Sequence, residues 1–219
     1  MTIIDRAKFI RDNTSVMTPP LVPEVTLQLA HEAVPLWQKT EEELGQLGLP
    51  PPFWAFAWAG GQALARHVLD HPEIVCGKRV TDLASGSGLV GIAAMKAGAA
   101  SVLAADIDMF AVEAIRINAV ANSVEVVASG SDLLTMPAEG CDVILVGDLF
   151  YEKDLAAKVF GWLEDAEARG ATALIGDPGR SYLPRERLEK LAEYKVAVTR
   201  DLEDAEIKLT SVWRLKGYC

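Results

Sequence analysis

Cysteine and histidine are scarce in this chain of 219 residues, which has three of each. The cysteines lie far apart, at Cys76, Cys141 and Cys219. This spacing excludes a paired redox or zinc motif and predicts free thiols in a reducing compartment. His67 and His71 could share one helix face, but the Glu of a zincin motif is missing and Pro72 follows. Histidines that complement a helix C-terminus are the simpler interpretation, so we predict no metal site.

Long apolar runs and an excess of positive charge are also missing. No apolar stretch approaches the ~20 residues that span a bilayer, and the first residues resemble neither a secretory signal nor a transit peptide. The chain has 31 Asp and Glu against 21 Lys and Arg, a net charge of -10. This charge repels phosphate backbones, although it can equally serve solubility alone. We expect a cytoplasmic monomer with neither a membrane nor a nucleic acid as its partner.

The composition is that of a globular protein, with 50% hydrophobic and 24% charged residues. Prolines interrupt the front of the chain at residues 19–23 and 50–52. Between them, residues 25–47 read as helical pieces interrupted at Pro35. We therefore divide the chain into an N-terminal helical extension packed on the core, residues 1–50, and a main domain, residues 51–219.

Most of the main domain alternates between apolar strands and amphipathic helices. Strands are predicted at residues 79–84, 101–107, 124–128, 142–147 and 171–175. Helices are predicted at residues 60–70, 89–96, 109–121, 152–168 and 184–192. The last two strands, residues 195–198 and 208–215, have only a short link and should pair antiparallel. This order predicts an α/β fold with a Rossmann-like, doubly wound seven-stranded sheet, mostly parallel, with a C-terminal antiparallel hairpin.

A glycine-rich turn follows the first of these strands and is the best candidate for a ligand site. Its sequence is Asp82-Leu83-Ala84-Ser85-Gly86-Ser87-Gly88. Residues 86–91 match Gly-x-Gly-x-x-Gly, which alone is weak support for a dinucleotide site. Sites in such folds lie at the carboxyl ends of the strands, where glycines permit a close approach to the ligand.

Three features favour S-adenosylmethionine (SAM) over a dinucleotide as the ligand of this turn. Asp82 would repel a pyrophosphate but suits the cationic sulfonium and ammonium of SAM. About 78 residues precede the strand, whereas dinucleotide domains often begin near it. No separate catalytic domain follows the hairpin. We assign five residues of the turn to the cofactor: Asp82, Ala84, Ser85, Gly86 and Gly88. A tight turn without any ligand is the alternative.

Acids at the ends of the next two strands extend the candidate cofactor site. Asp106 ends the second strand and can accept hydrogen bonds from both ribose hydroxyls. Asp108 is the second choice for that role, or it caps the following helix. Asp132 follows the third strand and either accepts from the adenine amino group or is a loop residue. Ile107, beside Asp106, is assigned to the cofactor as well.

The corner after the fourth predicted strand carries the candidate catalytic residues, Asp148 and Tyr151. Asp148 could hold an acceptor amine by a charge-assisted hydrogen bond and stabilise the cation that forms. Phe150, Tyr151 and Trp54 could supply apolar walls and cation–π contacts. Alternatively, Asp148 caps the helix that starts near Glu152. The Asn/Asp-Pro-Pro-Tyr motif of adenine and glutamine methyltransferases is missing here, which argues against a base or amide acceptor.

Several stretches of this sequence are similar to those of a known family. They are residues 53–64, the glycine turn, Asp106-Ile107-Asp108, Gly147-Asp148-Leu149-Phe150-Tyr151 and Ile175-Gly176-Asp177-Pro178-Gly179-Arg180. The chain resembles the seven-strand SAM-dependent methyltransferases, and more closely the electron transfer flavoprotein β-subunit lysine methyltransferases. This family is related to the ribosomal-protein lysine methyltransferases.

The resemblance implies a protein-lysine N-methyltransferase that uses SAM. Its substrate would be a protein such as the electron transfer flavoprotein β subunit, or a ribosomal stalk protein. Leu149 would contact the cofactor, and Trp58 is either a wall against the cofactor or a core anchor. The loop from Asp177 to Arg180 is a substrate-side loop or a simple turn. The alternatives are a small-molecule N-methyltransferase, a non-catalytic SAM-fold binding module and an NAD-linked oxidoreductase.

The chain departs from the family pattern at two positions. Ala59 stands where the family often has Pro, and Ala84 stands where it usually has Gly. The extra methyl group of Ala84 should leave cofactor binding intact. We expect it to forbid a positive φ at that position.

Overall fold

The computed structural model describes residues 5–31, 51–197 and 207–217, together with residues 35, 36, 38 and 39. The strands of these ranges are Ser15–Met17 (β1), Leu27–Leu29 (β2), Arg79–Leu83 (β3), Ser101–Ala105 (β4), Val127–Ser129 (β5), Val143–Gly147 (β6), Thr172–Asp177 (β7), Leu188–Ala197 (β8) and Ile207–Leu215 (β9). The helices are Arg6–Asn13 (α1), Ala59–Asp70 (α2), Leu89–Lys96 (α3), Met109–Ala121 (α4) and Lys153–Ala168 (α5), with a further helical segment at residues 35, 36, 38 and 39. None of the helices in the described ranges is long and apolar enough to cross a membrane.

Strands β3 to β9 form one seven-stranded sheet in the order β5-β4-β3-β6-β7-β9-β8. The first five in this order run parallel, whereas β9 is antiparallel to both β7 and β8. In β6, Val143 and Leu145 belong to one hydrophobic cluster, and Ile144 and Val146 belong to a second. Because strand side chains alternate between faces, the two clusters lie on opposite faces of the sheet. The predicted fold class is therefore confirmed.

The helix predicted at residues 184–192 is wrong. After Pro184 the chain makes a short 3-10 helix, Arg185–Arg187, and continues as β8. Apolar residues three and four apart in this segment imitate helical spacing. However, β9 offers an antiparallel partner along the strand, and a bulge between Lys190 and Ala192 absorbs the irregular spacing. The predicted hairpin is confirmed, with a longer first strand than expected.

The described part of the N-terminal segment packs against the main sheet domain. Residues 27–29 form β2, so the helical prediction for residues 25–47 is wrong there; residues 32–34, 37 and 40–50 lie outside the described ranges. Val22 and Val25 are fully buried in the cluster that contains α2 and α3. Asn118 of α4 accepts from the Gln28 N–H at 2.7 Å and donates to the Ser87 carbonyl at 2.8 Å. The front segment is thereby tied to the glycine turn, while a domain boundary at residue 50 stays a prediction.

Candidate active site

The glycine turn joins the end of β3 to α3 through three residues in the left-handed region. Ala84 has φ +51°, Gly86 has φ +56° and Gly88, the N-cap of α3, has φ +85°. The expectation that Ala84 forbids a positive φ is therefore wrong. The left-handed region is restricted rather than closed to L-residues, at a cost of about 1–2 kcal/mol. The strand-to-helix reversal imposes that conformation whatever residue is present.

Asp82 holds the turn together from inside the sheet. Its Oδ2 accepts from the Ser85 hydroxyl at 2.6 Å and from the Gly91 N–H at 2.8 Å. The side chain is only 1% exposed. Burial raises the pKa of Asp82 to about 7, against the opposing effect of these two hydrogen bonds. Asp82 therefore fixes Ser85 and the first turn of α3 relative to β3, and it adds negative charge beneath the turn.

Asp106 connects the glycine turn with the end of β4. One oxygen accepts from the Gly86 N–H at 2.9 Å and the other accepts from the Asp108 N–H at 3.0 Å. Burial raises the pKa of Asp106, and neighbouring Asp108 raises it further. Asp108 accepts from the Phe110 N–H at 2.8 Å and is the N-cap of α4, which confirms the capping alternative. Ile107 projects between them and is 74% exposed, as suits a contact with a bound ring.

Asp132 lies beyond β5 and is exposed. It caps the short 3-10 helix Leu133–Thr135, with the Leu134 N–H donating to its Oδ1 at 3.1 Å. This bond accounts for the residue without a ligand, so the contact with adenine stays a prediction.

Asp148 lies immediately after β6, with φ +57° and a side chain that is 9% exposed. Its Oδ2 accepts from the Gly61 N–H at 3.1 Å, in the first turn of α2. Its Oδ1 accepts from Arg180, at 2.8 Å from Nη2 and 3.3 Å from Nε. The alternative in which Asp148 caps α5 is wrong, because the N-cap of α5 is Glu152, with no side-chain bond. Burial raises the pKa of Asp148 to about 6, while Arg180 acts in the opposite direction.

Glycines let α2 approach Asp148 so closely. A Cβ on Gly60 would overlap the carbonyl oxygen of Gly176, and a Cβ on Gly147 would lie 3.1 Å from the Gly61 backbone. The start of α2 therefore lies directly on β6 and β7. Gly60 and Gly176 lie in the stretches 53–64 and 175–180 that resemble the known family, and both bring the α2 backbone close to the Asp148 carboxylate.

Aromatic rings line the surface beside this corner. Phe53 contacts Trp58 edge-on, with centroids 5.7 Å apart, and Tyr151 at 5.8 Å. Tyr151 is 46% exposed and Phe53 is 38% exposed. Trp58 is half-buried and donates from Nε1 to the Phe53 carbonyl at 2.9 Å. Trp58 is thus anchored through Phe53, and its contact with the cofactor stays a prediction.

Two of the three predicted aromatic walls are core residues instead. Trp54 is 1% exposed and stacks on Phe110 with centroids 5.9 Å apart. Phe150 is fully buried beneath α5. Only Tyr151 of the predicted set reaches the surface, because Phe150 and Trp54 each pack into a hydrophobic cluster. Leu149 is also buried, at 8% exposure, so any contact with the cofactor is limited to its edge.

Sequence reasoning did not assign Phe53 to the site, and it named Arg180 only as the end of a loop that is a substrate-side loop or a simple turn. The position of Arg180 just after β7, in the stretch 175–180 that resembles the known family, was the available signal. Its guanidinium lies over Trp58, 5.9 Å from the ring centroid, while binding Asp148. The site thus has a cofactor half at β3 and β4 and an acceptor half at β6 and β7.

His67 contacts both His71 and Tyr194 through its imidazole ring. The His67 ring is buried, with Nδ1 3.0 Å from the Tyr194 hydroxyl, and the two imidazoles lie 4.6 Å apart. Across the described ranges, no three His, Cys, Asp or Glu side chains form a group that could hold a metal ion.

The hydrogen bonds of the glycine turn distinguish SAM from a dinucleotide as its ligand. Asp106 occupies the Gly86 N–H and Asp82 occupies the Gly91 N–H, so carboxylates already take two donors that a phosphate would need. The charge of Asp106 also raises the pKa of Asp82, because the two carboxylates repel each other. A cationic ligand relieves this repulsion. The residues at this edge therefore fit the sulfonium and ammonium of SAM and do not fit a pyrophosphate.

The sequence and the fold both match known methyltransferases. Residues 64–147 match the family model of ribosomal protein L11 methyltransferase (PrmA). Two relatives, from Danio rerio and Xenopus laevis, are electron transfer flavoprotein beta subunit lysine methyltransferases. The first is 36% identical over 96% of this chain and 83% of its own, and the second is 37% identical over 94% and 85%.

One solved structure shows the same fold with the cofactor in place. Magnesium protoporphyrin IX methyltransferase (ChlM) from Synechocystis PCC 6803 with bound SAM superposes with a TM-score of 0.51. It is 14% identical, over 72% of this chain and 80% of that one. This structure shows the fold alone, whereas the sequence identity and coverage of the two relatives also show the family. The chain is therefore a SAM-dependent methyltransferase that belongs to the family of electron transfer flavoprotein beta subunit lysine methyltransferases.

Proposed function

We propose that this enzyme methylates lysine side chains of the electron transfer flavoprotein β subunit. The observation that carries the proposal is Asp148, a buried carboxylate held at the acceptor end of the sheet by α2 and Arg180. A carboxylate beside an open aromatic rim suits a long side chain that ends in an amine. The relatives that match nearly the whole chain are electron transfer flavoprotein beta subunit lysine methyltransferases.

The residues of the cofactor half would hold SAM by charge and shape. Asp106 has lone pairs available beyond its two backbone bonds and would accept from the ribose hydroxyls. Ile107 would cover one face of the adenine. Bound SAM supplies a methyl group on a cationic sulfur, which is the electrophile of the reaction.

The residues of the acceptor half would bind and orient the lysine amine. Only the neutral amine has a lone pair to donate, so the ammonium must first lose a proton, which we assign to bulk water. Asp148 would accept an N–H of the amine and so fix its direction. Tyr151 and Phe53, both partly exposed, would surround the aliphatic stem of the lysine and exclude water from it.

The surface around this site favours a protein over a small molecule as the acceptor. Phe53, Tyr151 and Tyr182 are 38%, 46% and 45% exposed. Phe53 contacts Tyr151, and the Tyr182 N–H donates to the Phe150 carbonyl at the same corner. Exposed aromatic side chains at this corner can contact a peptide segment, which supports a protein substrate.

A ribosomal protein is the second candidate substrate, because residues 64–147 match the ribosomal protein L11 methyltransferase model. The matched range includes the glycine turn and β6 but ends one residue before Asp148. It therefore speaks for the methyl donor and not for the acceptor. We rank the flavoprotein above the ribosomal protein on this basis.

A competition assay tests the choice of substrate. The enzyme is incubated with isotope-labelled SAM and purified electron transfer flavoprotein, with ribosomal protein L11, or with both. We expect labelled methyl-lysine on the flavoprotein β subunit, located by mass spectrometry of its peptides. Label on L11 alone would identify L11 as the substrate instead of the flavoprotein, and label on neither protein would contradict the proposal.

A further inference from the structure

Arg180 and α2 take up most of the hydrogen-bonding capacity of Asp148. Oδ1 accepts from Nη2 and Nε of Arg180, and Oδ2 accepts from the Gly61 N–H. A carboxylate has about four acceptor positions. Among the described residues, these three bonds leave one position, on Oδ2. An acceptor amine that takes this position would bind Asp148 at the same time as Arg180.

The charge of Arg180 matters because an isolated carboxylate would work against methyl transfer. A carboxylate beside a lysine favours the ammonium and raises the pKa of the amine above its usual value of about 10.4. A carboxylate–guanidinium pair carries no net charge, so it stabilises the protonated lysine much less than an isolated carboxylate would. The carboxylate itself still accepts a hydrogen bond from the amine.

We propose that Arg180 is a positioning residue that compensates the charge of Asp148, so that the acceptor lysine is held as the neutral amine. This inference rests on the proposed function, because it concerns the lysine acceptor. It gives Arg180 a role in controlling charge in addition to its packing.

The loop that carries Arg180 is anchored to hold the guanidinium in place. Asp177 is 1% exposed, and its Oδ1 accepts from the backbone N–H of Gly179 at 2.6 Å and of Arg180 at 2.7 Å. On the other side, the Trp58 ring lies beneath the guanidinium. The loop backbone and the ring from the start of α2 therefore both fix Arg180 against Asp148.

Among the described residues, the charged groups around Asp148 lie on β7 and the loop after it. They are Asp177, whose charge raises the pKa of Asp148, and Arg180, which lowers it. Arg185 begins the 3-10 helix after this loop and lowers the pKa of Asp177. From α2, only the Gly61 N–H faces the carboxylate among the described residues. Arg180 is the group in this set that bonds Asp148 directly, and Arg185 provides a matched control.

The experiment compares the pH dependence of kcat for the wild type, Arg180→Gln, Arg180→Lys and Arg185→Gln on purified electron transfer flavoprotein. Arg180→Gln keeps a hydrogen-bond donor but removes the charge. We expect its acidic limb to move up by about 1 pH unit or more, with much of the rate recovered at high pH. Arg180→Lys should restore the wild-type limb even if its rate is lower, and Arg185→Gln should leave the profile unchanged.

A second readout is independent of turnover. The Asp148 carboxyl is titrated by carbon-13 NMR in the free enzyme, and calorimetry checks that each variant still binds SAM. We expect Arg180→Gln to raise the pKa of Asp148 and Arg185→Gln to leave it in place.

The outcomes separate this inference from the proposed function. Suppose that the wild type forms methyl-lysine and that Arg180→Gln has the same acidic limb in its pH profile, with an equal loss of rate at every pH. Arg180 would then have only a structural role. An unchanged Asp148 titration in Arg180→Gln would overturn the inference equally. Failure of the wild type to methylate any lysine would instead remove the proposed function, and the inference with it.

Discussion

Ala84 and Asp148, two residues at the carboxyl edge of the sheet, have backbone angles that L-residues seldom adopt, with φ +51° and +57°. Each follows a parallel strand directly, where the chain must turn sharply to present side chains to a ligand. Strain of this kind tends to collect at functional sites. Sequence reasoning located both residues in the site but could not give their φ, because the strand and helix around them impose it.

At Ala84, the strain predicts a stabilising substitution. Ala84→Gly should raise the free energy of unfolding by up to about 1 kcal/mol, because glycine adopts a positive φ without the Cβ penalty. Chemical denaturation measures the change. Ala104→Gly, in the middle of β4 and fully buried, is the control and should lower stability. An Ala84→Gly variant that is less stable than the wild type would show that its methyl contacts outweigh the strain.

At Asp82, burial predicts a pH-dependent stability. Because the pKa is raised to about 7 in the folded state, the folded protein binds more protons than the unfolded chain above pH 4. This group's contribution is therefore lost as the pH rises towards 7. Between pH 5 and pH 8, the free energy of unfolding of the wild type should fall by about 2 to 3 kcal/mol relative to that of Asp82→Asn.

Urea denaturation at the two pH values measures this difference. Asp142→Asn is the control, because Arg79 lowers the pKa of Asp142 to about 2. The pKa of Asp142 lies below 5 in both the folded and the unfolded state. The free energy of unfolding of Asp142→Asn should therefore differ from that of the wild type by the same amount at both pH values. A level difference for Asp82→Asn as well would contradict the buried, proton-binding carboxyl.

At the scale of elements, the sequence predicted those whose ends carry local signals and failed where a partner element decides. Helices α3 and α4 have the predicted bounds of 89–96 and 109–121, because Gly88 and Asp108 mark their first turns. The first half of β8, residues 188–192, was predicted as a helix because its partner strand β9, which supplies the hydrogen bonds, is distant in sequence. The Asp148–Arg180 pair was missed for the same reason, since a contact between two strand ends has no local signature.

The contact of α2 with β7 predicts opposite effects for the same substitution in two helices. Gly60→Ala should destabilise the protein by about 1–3 kcal/mol, because the new Cβ overlaps the Gly176 carbonyl. Gly161→Ala, in α5 with open space around it, should instead stabilise it by about 0.5–1 kcal/mol through helix propensity. Thermal or chemical denaturation measures both. Equal effects would show that α2 can shift away from β7 freely.

At the scale of the whole molecule, the sheet brings together residues that are far apart in sequence. Asp82, Asp106, Asp148 and Asp177 all lie at or just after the carboxyl ends of parallel strands. The strand order places β6 between β3 and β7, so Asp148 lies between the cofactor half and the loop that carries Arg180. The sequence predicted this edge and its acids, because parallel strands share one carboxyl end. It did not predict which acid is buried, bonded or exposed.

The most direct test of the central claim is the activity of Asp148→Asn on electron transfer flavoprotein, with SAM affinity measured alongside. Asparagine tolerates a positive φ and can still accept from Gly61, so the fold should survive. We predict that kcat falls by about 10²–10³-fold while SAM binds with nearly wild-type affinity. An Asp148→Asn enzyme that methylates lysine at the wild-type rate would contradict the assignment of Asp148 to the acceptor amine.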